Sequence, residues 1–400
     1  MRVLMISKAC VVGAYQRKLE ELAAQESMEL LVVVPPYWQE EVRQITLEPL
    51  HTRGYRLEVE PIRFNGKFHF FYFPGLGRRI QDFHPDLVHI DEEPYNFASV
   101  HALWLARRCE ARTLFFTWQN LYRRYPPPFS WMERYCFNGV DRAIAGNVEA
   151  VEVLRRKGFG KPVEVIPQFG VDPEIFAPPR LLLGEGRGEG VGTNCPSPTL
   201  TCPSGGLFER GRPNPTSEGA PFRVGFVGRL VEQKGIADAI EAVASMGPDA
   251  RLVLIGAGPM KAEIEQRAAA LGMAGRLEIV PGVPSKEMPA IYNGLDVLVL
   301  PSRTRPNWKE QFGRALVEAM ACEVPVVGSD SGEIPNVIGD AGLVFPEGDV
   351  AALTGHLRRL QDSQDMRRDL GRRGRARVLD RFTQARVAEQ TYQLYRQILG

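Results

Sequence analysis

Short runs of β-branched and apolar residues recur along the chain, each followed by a stretch whose apolar positions fall at helical spacing. In the first half, 3–6, 30–34, 87–90 and 113–117 are apolar runs of strand length, and 16–25 between the first two is amphipathic. This alternation marks βαβ units, whose strands lie parallel and are buried on both faces. After a break the rhythm starts again. Strands are expected over 223–227, 251–255, 277–280, 297–300 and 325–328, and helices over 236–244, 261–271 and 312–321. The pattern predicts two α/β domains in succession, each built on a parallel sheet.

The break, 178–221, is dense in Gly, Pro, Ser and Thr and nearly free of aromatic residues. It has too little apolar area to offset the entropy of ordering it, so it reads as a flexible insertion. From residue 350 the pattern is helical and Arg-rich, including Arg358, Arg359, Arg367, Arg368, Arg372, Arg373, Arg375 and Arg377, which read as solvated faces. The last stretch, 385–399, is amphipathic. The expected domains are 1–177, the insertion 178–221, a second domain over 222–380, and a C-terminal helix in 381–400 able to cross back to the first domain.

Composition narrows the reading. The 400 residues suffice for two cores, and 49 Lys and Arg against 48 Asp and Glu leave a net charge of +1. No chain-wide field favours nucleic acid as partner, and any anion site must be local. The six cysteines, at 10, 109, 136, 195, 202 and 322, show no zinc or C-x-x-C spacing, and read as buried reduced thiols in a cytoplasmic protein. The apolar run before Ser7 and Lys8 is too short for a signal peptide and reads as a first strand. No uncharged apolar stretch reaches the roughly 18 residues that span a bilayer. The run KFHFFYF at 67–73, with Arg78 and Arg79 beyond it, fits either a buried strand or an aromatic and basic patch for the inner membrane face.

The chemistry-bearing motifs lie mainly in the second half. After the first strand only Gly13 appears, so the G-x-G-x-x-G fingerprint of dinucleotide binding is missing, and no G-x-x-x-x-G-K-[ST] loop is present. In RVGFVGRLVEQKGI, Gly228 follows a strand, Arg229 stands beside it, and Lys234 precedes the next helix. A glycine there lets backbone approach a phosphate, and two cations near a helix N-terminus can neutralise a diphosphate. LVLIGAGPM carries Gly256 in a tight turn that suits either backbone contact with a ligand or packing. In LVLPSRTRPNWKEQFGRALVEAMACEVPVV, Glu310 precedes Phe312 and Gly313, where a helix carrying Glu318 is expected to begin. Carboxylates accept hydrogen bonds from paired sugar hydroxyls, and amides at a helix start receive phosphate oxygens.

The combination E-x-F-G-x-x-x-x-E-A-M-A-C-x-x-P-V-V, then G-S-D-S-G-E-I-P, resembles the retaining glycosyltransferases of family 4, a group that includes glycogen-synthase-like and mannosyltransferase-like enzymes. PQFGVDPEIF at 167–176, GFVGRLVEQKG and AGLVFPEGD extend the resemblance over almost the whole chain outside the insertion. It implies the GT-B fold, two Rossmann-like α/β domains with parallel sheets facing across a cleft, the first on the acceptor side and the second binding a nucleotide-sugar. It further implies that Arg229 and Lys234 hold the donor diphosphate, with Gly228 and Gly256 in the turns beside it. Glu318 would bind the ribose, Glu310 the transferred sugar, Phe312 and Gly313 would offer amides, and Val283 would lie near the nucleobase. Gly13 would stand where donor and acceptor meet.

One departure concerns a histidine common in the family at an N-domain strand end. Here TLFFTWQN places Gln119 there, able to hydrogen-bond a hydroxyl but not to shuttle a proton. His89, in DLVHIDEEP, is a second candidate for the imidazole, or an ordinary structural histidine. No Asp-x-Asp motif occurs, so transfer without a metal or other cofactor is expected. The reaction implied is hexosyl transfer, with retention, to a hydroxyl of a glycan or lipid-linked glycan in polysaccharide biosynthesis. A nucleotide-sugar 2-epimerase and a non-catalytic nucleotide-sugar-binding subunit are the alternatives.

Overall fold

The computed structural model describes residues 1–40, 44–179 and 221–400. Most of the expected insertion, with Cys195 and Cys202, therefore lies outside the described residues.

The first sheet has seven strands: β1 (Arg2–Ile6), β2 (Glu29–Val34), β5 (Arg56–Val59), β6 (Leu87–Ile90), β7 (Arg112–Thr117), β8 (Arg142–Ala145) and β9 (Val163–Val165). Their order is β5-β2-β1-β6-β7-β8-β9, and every neighbouring pair is parallel. The short strands β3 (Tyr37–Gln39) and β4 (Gln44–Thr46) form a separate antiparallel hairpin. In β1, Leu4 and Ile6 face one core with Leu31, Val33, Val88 and Ile90, under the helices Leu76–Phe83 and Phe97–Arg108. Val3 and Met5 face the other, with Leu19 and Leu22 of the helix Arg17–Ala23 and with Val387 and Tyr395 of the C-terminal helix Gln384–Leu399. Burial on both faces explains why these strands read as continuous apolar runs.

The second sheet has six strands: β10 (Phe222–Val227), β11 (Ala250–Ile255), β12 (Leu277–Val280), β13 (Val297–Leu300), β14 (Val326–Ser329) and β15 (Leu343–Phe345). Their order is β12-β11-β10-β13-β14-β15, again parallel throughout. Counted along the chain this is 3-2-1-4-5-6, the doubly wound order, and the first sheet opens the same way. The connections diverge between β1 and β6 in one sheet and between β10 and β13 in the other. At such a switch point the loops leave the carboxyl ends of adjacent strands in opposite directions and open a crevice for ligand.

Contacts divide the chain into two compact units. Unit 1 comprises Met1–Asp172, Arg305–Phe312 and Leu379–Gly400; unit 2 comprises Pro173–Thr304 and Gly313–Val378. The sequence reading placed the domain boundaries at 177, 222 and 380 and kept 305–312 in the second domain, whereas here those eight residues group with the first. The helix expected from 312 begins at Arg314, because Gly313 takes a left-handed conformation (φ 77°) and interrupts the helical path before it. The C-terminal helix is fastened within unit 1: Thr383 caps it and bridges to Val171, Gln384 N–H donates to Val171 O at 3.0 Å, and the Tyr395 hydroxyl lies 2.6 Å from His89 Nδ1.

The run 67–73 is neither a strand nor one continuous patch. Phe71 and Phe73 are fully buried, whereas Phe68 and Phe70 are 39% and 45% exposed. Arg79 is paired with Glu58 and Glu60. Of the described cysteines, Cys10, Cys136 and Cys322 are buried as expected, but Cys109, just beyond the helix Phe97–Arg108, is exposed. Among the described residues no helix is long and apolar enough to cross a membrane.

Candidate functional site

In unit 2 the turns after β10 and β11 are pressed together. Gly228 N–H donates to Ile255 O and Leu230 N–H to Ala257 O, both at 3.0 Å. A Cβ at Gly256 would collide with the Gly228 carbonyl. Packing between the turns therefore requires glycine at 256, independently of any ligand its backbone meets. Arg229 is exposed on this turn, and its guanidinium makes no hydrogen bond or ion pair among the described residues.

The chain then forms a 3₁₀ turn, Glu232–Lys234, and enters the helix Ile236–Ala244 through Gly235. Gly235 has φ 65°, and a Cβ there would run into the carbonyl of Pro301, the first residue after β13. At this point the loops of the two switch-point strands meet backbone to backbone. A second tie is Arg303, whose guanidinium grips Asp238 in the first turn of that helix, with Nε 2.8 Å from Oδ2 and Nη2 on Oδ1. Arg303 is thereby committed to the fold; on the same edge Arg229 is exposed and Lys234 half-buried.

Glu318 lies on the helix Arg314–Ala321 and is buried. Its Oε2 accepts from the Tyr292 hydroxyl at 2.7 Å and its Oε1 from Arg314 Nε at 2.7 Å. Burial and the adjacent carboxylate push the Tyr292 hydroxyl well above the usual phenol range. A carboxylate has about four acceptor positions, so Glu318 keeps capacity for two further hydroxyls. Tyr292 was not legible as its partner, because the contact joins separate elements, whereas Arg314 is its i,i+4 neighbour on the same helix. Val283 lies in the loop after edge strand β12 and is half-buried.

Glu310 and Phe312 group with unit 1, where two asparagines hold their backbone. Asn120 Nδ2 donates to Glu310 O at 3.0 Å, and Asn147 Nδ2 to Gln311 O at 2.9 Å. Gln311 Nε2 donates to Trp118 O at 3.0 Å, Lys309 pairs with Glu149, and the Phe312 ring lies 5.9 Å from Trp118 and 5.7 Å from Phe382. Glu310 itself is buried, with 7% of its surface exposed.

The switch point of unit 1 carries carboxylates that belong to none of the motifs above. Asp91, Glu92 and Glu93 follow β6 directly. Asp91 accepts from Ser7 Oγ at 2.7 Å and Gln168 Nε2 at 3.0 Å. Glu92 pairs with Lys8, whose ammonium also lies 4.8 Å from the Phe68 ring centre and 5.2 Å from that of Phe71. Burial raises the Glu92 carboxyl, and Lys8 opposes that rise. Glu93 accepts from Thr117 Oγ1 at 2.6 Å and Trp118 N–H at 2.8 Å, yet burial pushes its carboxyl up to about 7. The available signal was the D-E-E run at the end of a buried strand.

The first-domain candidates are enclosed. Gly13 is buried under 48–50, where a Cβ would meet the Leu50 side chain and the Glu48 carbonyl. Gln119 is 8% exposed; its Oε1 accepts from Lys157 Nζ at 2.9 Å and its Nε2 donates to the Tyr125 hydroxyl at 3.0 Å. One amide hydrogen and one carbonyl lone pair remain. His89 is the structural histidine: it lies within β6, bonded to Tyr395, and burial drives its pKa well down. Among the described residues no three His, Cys, Asp or Glu gather into a group suited to a metal ion.

Two successive units with doubly wound parallel sheets make this the GT-B fold. Two solved structures share it: sucrose-phosphate synthase from Thermosynechococcus elongatus (TM-score 0.69, 20% identity, covering 100% of this chain and 99% of that one) and Anabaena HepE in complex with UDP (TM-score 0.69, 17% identity, 99% and 100%). Residues 15–175 match the family model Glycosyltransferase Family 4, and residues 208–377 match Glycosyl transferases group 1. The chain is 33% identical over 189 residues to the 2-deoxystreptamine glucosyltransferase of Streptomyces kanamyceticus, covering 46% of this chain and 47% of that protein. It is 28% identical over 183 residues to the capsular polysaccharide biosynthesis glycosyltransferase CapM of Staphylococcus aureus, covering 44% and 47%. The chain spans about half the length of these curated relatives. It belongs to the GT-B glycosyltransferases of the family 4 type.

Proposed function

We propose that the protein transfers a hexosyl-type sugar from a nucleoside diphosphate donor to a hydroxyl of a glycan or lipid-linked acceptor, retaining anomeric configuration and without a divalent metal. The observation that carries the reading is the switch point of unit 2. Arg229 and Lys234 there flank the close backbone approach of Gly235 to Pro301 that joins the β10 and β13 loops, in a chain of this family. As the glycosidic bond breaks, the leaving diphosphate gains negative charge, and fixed cations with backbone dipoles stabilise it without reorganisation.

In this reading Gly228, Gly256 and Gly313 bring backbone close to the donor. Glu318 accepts hydrogen bonds from the ribose, Val283 adjoins the base, Glu310 holds the transferred sugar, and Phe312 offers its amide. Gly13 and Gln119 belong to the acceptor side. The departing phosphate takes the acceptor proton, so an imidazole at Gln119 is not required. The relatives' names favour transfer over epimerisation or binding without turnover. CapM's name also supports a role in polysaccharide biosynthesis.

The test is a thermal-shift panel of the full chain with UDP, GDP and ADP, with and without EDTA, repeated on Arg229→Ala and Glu318→Ala. Stabilisation by one nucleotide that survives EDTA and disappears in both variants is expected. Indifference to all three nucleotides overturns the donor-site reading, and stabilisation abolished by EDTA overturns metal independence.

A further inference from the structure

We infer that Tyr292 and Arg314 are positioning residues that stop the Glu318 carboxylate from turning, and that this fixed carboxylate selects a ribonucleotide over its 2′-deoxy form. The inference rests on the donor reading above. A carboxylate free to rotate about its last side-chain bond can swing to whichever hydroxyl is present. Here Oε2 accepts from the Tyr292 hydroxyl and Oε1 from Arg314 Nε, each at 2.7 Å, so that rotation would break both bonds at once. The two donors come from separate elements, the helix Met288–Asn293 and the first turn of the helix Arg314–Ala321.

Tyr292 is a fixed point. It is fully buried, with its ring centre 6.2 Å from that of Phe176, and the next residue, Asn293, donates its side-chain amide to Ala177 O at 3.0 Å. A close-packed ring of this size has one rotamer available, which leaves its hydroxyl no second position. Because burial and Glu318 drive its ionisation far up, the hydroxyl remains a donor. Arg314 is harder to explain by the helix alone. It follows left-handed Gly313 and so falls in the first turn, where a cation opposes the helix dipole. The order Arg then Glu at i,i+4 is also the weaker of the two for helix stability. Its placement is better accounted for by what it does to the carboxylate.

With one acceptor position on each oxygen taken, one on each remains, and both lie in a plane that the protein has set. Such a pair matches two hydroxyls on adjacent carbons, as the 2′ and 3′ positions of a ribose provide. A 2′-deoxyribose fills one position and leaves the other oxygen without its partner. Glu318 is buried, so that unmet charged acceptor is costly, and a site built to bond a hydroxyl rejects the analogue lacking it. Freed from either donor, the carboxylate would turn to the single hydroxyl and the discrimination would fall.

The experiment is titration calorimetry of the full chain with UDP, GDP and ADP, each against its 2′-deoxy counterpart, on the wild type, Tyr292→Phe and Arg314→Met. The wild type is expected to bind the ribose form of its nucleotide at least tenfold more tightly than the deoxy form. In each variant that ratio should fall below about threefold, with the loss borne by the ribose form. Two variants on different helices guard against a folding defect in one of them. A merely structural role would weaken both forms by the same factor, and a ratio that stays at its wild-type value in both variants overturns the assignment. A wild type that binds ribose and deoxy forms alike also overturns it, while leaving the donor site in place. If no nucleotide binds the wild type at all, the donor reading fails and this assignment falls with it.

Discussion

The two sheets open in the same strand order, yet their switch points are furnished in opposite ways. In unit 1 the position after β6 is occupied by Asp91, Glu92 and Glu93, with Lys8 drawn in as a counter-ion. In unit 2 the corresponding edge is glycine and backbone, Arg303 is tied down by Asp238, and Arg229 stands exposed. In the proposed reading one topology serves two ligand chemistries. An edge supplied with its own carboxylates suits a neutral polyol, whereas an edge with cations and bare backbone suits an anion. The fold fixes where binding occurs; the charges on the loops decide what binds.

The sharpest way to break this contrast is Gly235→Ala. A Cβ there meets the Pro301 carbonyl from a left-handed backbone, so a stability loss of about 3 kcal/mol or more is expected, read as a lowered thermal midpoint together with lost nucleotide response.

Glu93 comes next. Its carboxyl pKa rises from 4.5 to about 7 on folding, so between those values the folded state holds a proton that the unfolded state has released. Its contribution to stability is therefore full below pH 4.5 and declines as pH rises to about 7, by up to about 3 kcal/mol. A Glu93→Gln variant should flatten that decline in denaturation curves taken from pH 5 to 8. An unchanged slope would show that Glu93 does not titrate there.

Arg229→Ala should cost about 2 kcal/mol, roughly 30-fold, in nucleotide affinity by titration calorimetry while the thermal midpoint of the unliganded protein stays put. An unchanged affinity would remove the charge contrast between the two edges. The smallest effect is expected from Tyr292→Phe. Deleting one hydrogen bond to Glu318, which keeps its Arg314 partner, should lower stability by about 1 kcal/mol in thermal melts.

Much of unit 2 was legible because its central strands are buried on both faces and its glycines mark backbone junctions. β10, β11, β12, β13 and the helix Ile236–Ala244 fall within a residue of expectation. The edge strands β5 and β9 left weaker traces, since RLEV and VEV are partly exposed and each carries a glutamate between two apolar residues. Site residues divide along the same line. Gly228, Arg229 and Lys234 are neighbours in sequence, so their arrangement shows as a motif. Lys8 and Glu92 are 84 positions apart, and Tyr292 and Glu318 are 26 apart on different helices. Such pairs exist only once the chain has folded, and no local pattern announces them. The grouping of 305–312 with unit 1 was hidden for the same reason, because Asn120 and Asn147 hold that segment from a distance of more than 160 residues.

That grouping makes the two units interlaced along the chain, which passes from one to the other at 172, 304, 312 and 378. No single cut can release either unit whole. A fragment ending at residue 177 would lack the helix Gln384–Leu399 and lay bare the apolar surface of Leu19, Leu22, Val3 and Met5 that the helix covers. Such a fragment is expected to aggregate when produced alone and to become soluble when 379–400 is supplied as a separate peptide, which makes the last helix a complementing piece for a split protein.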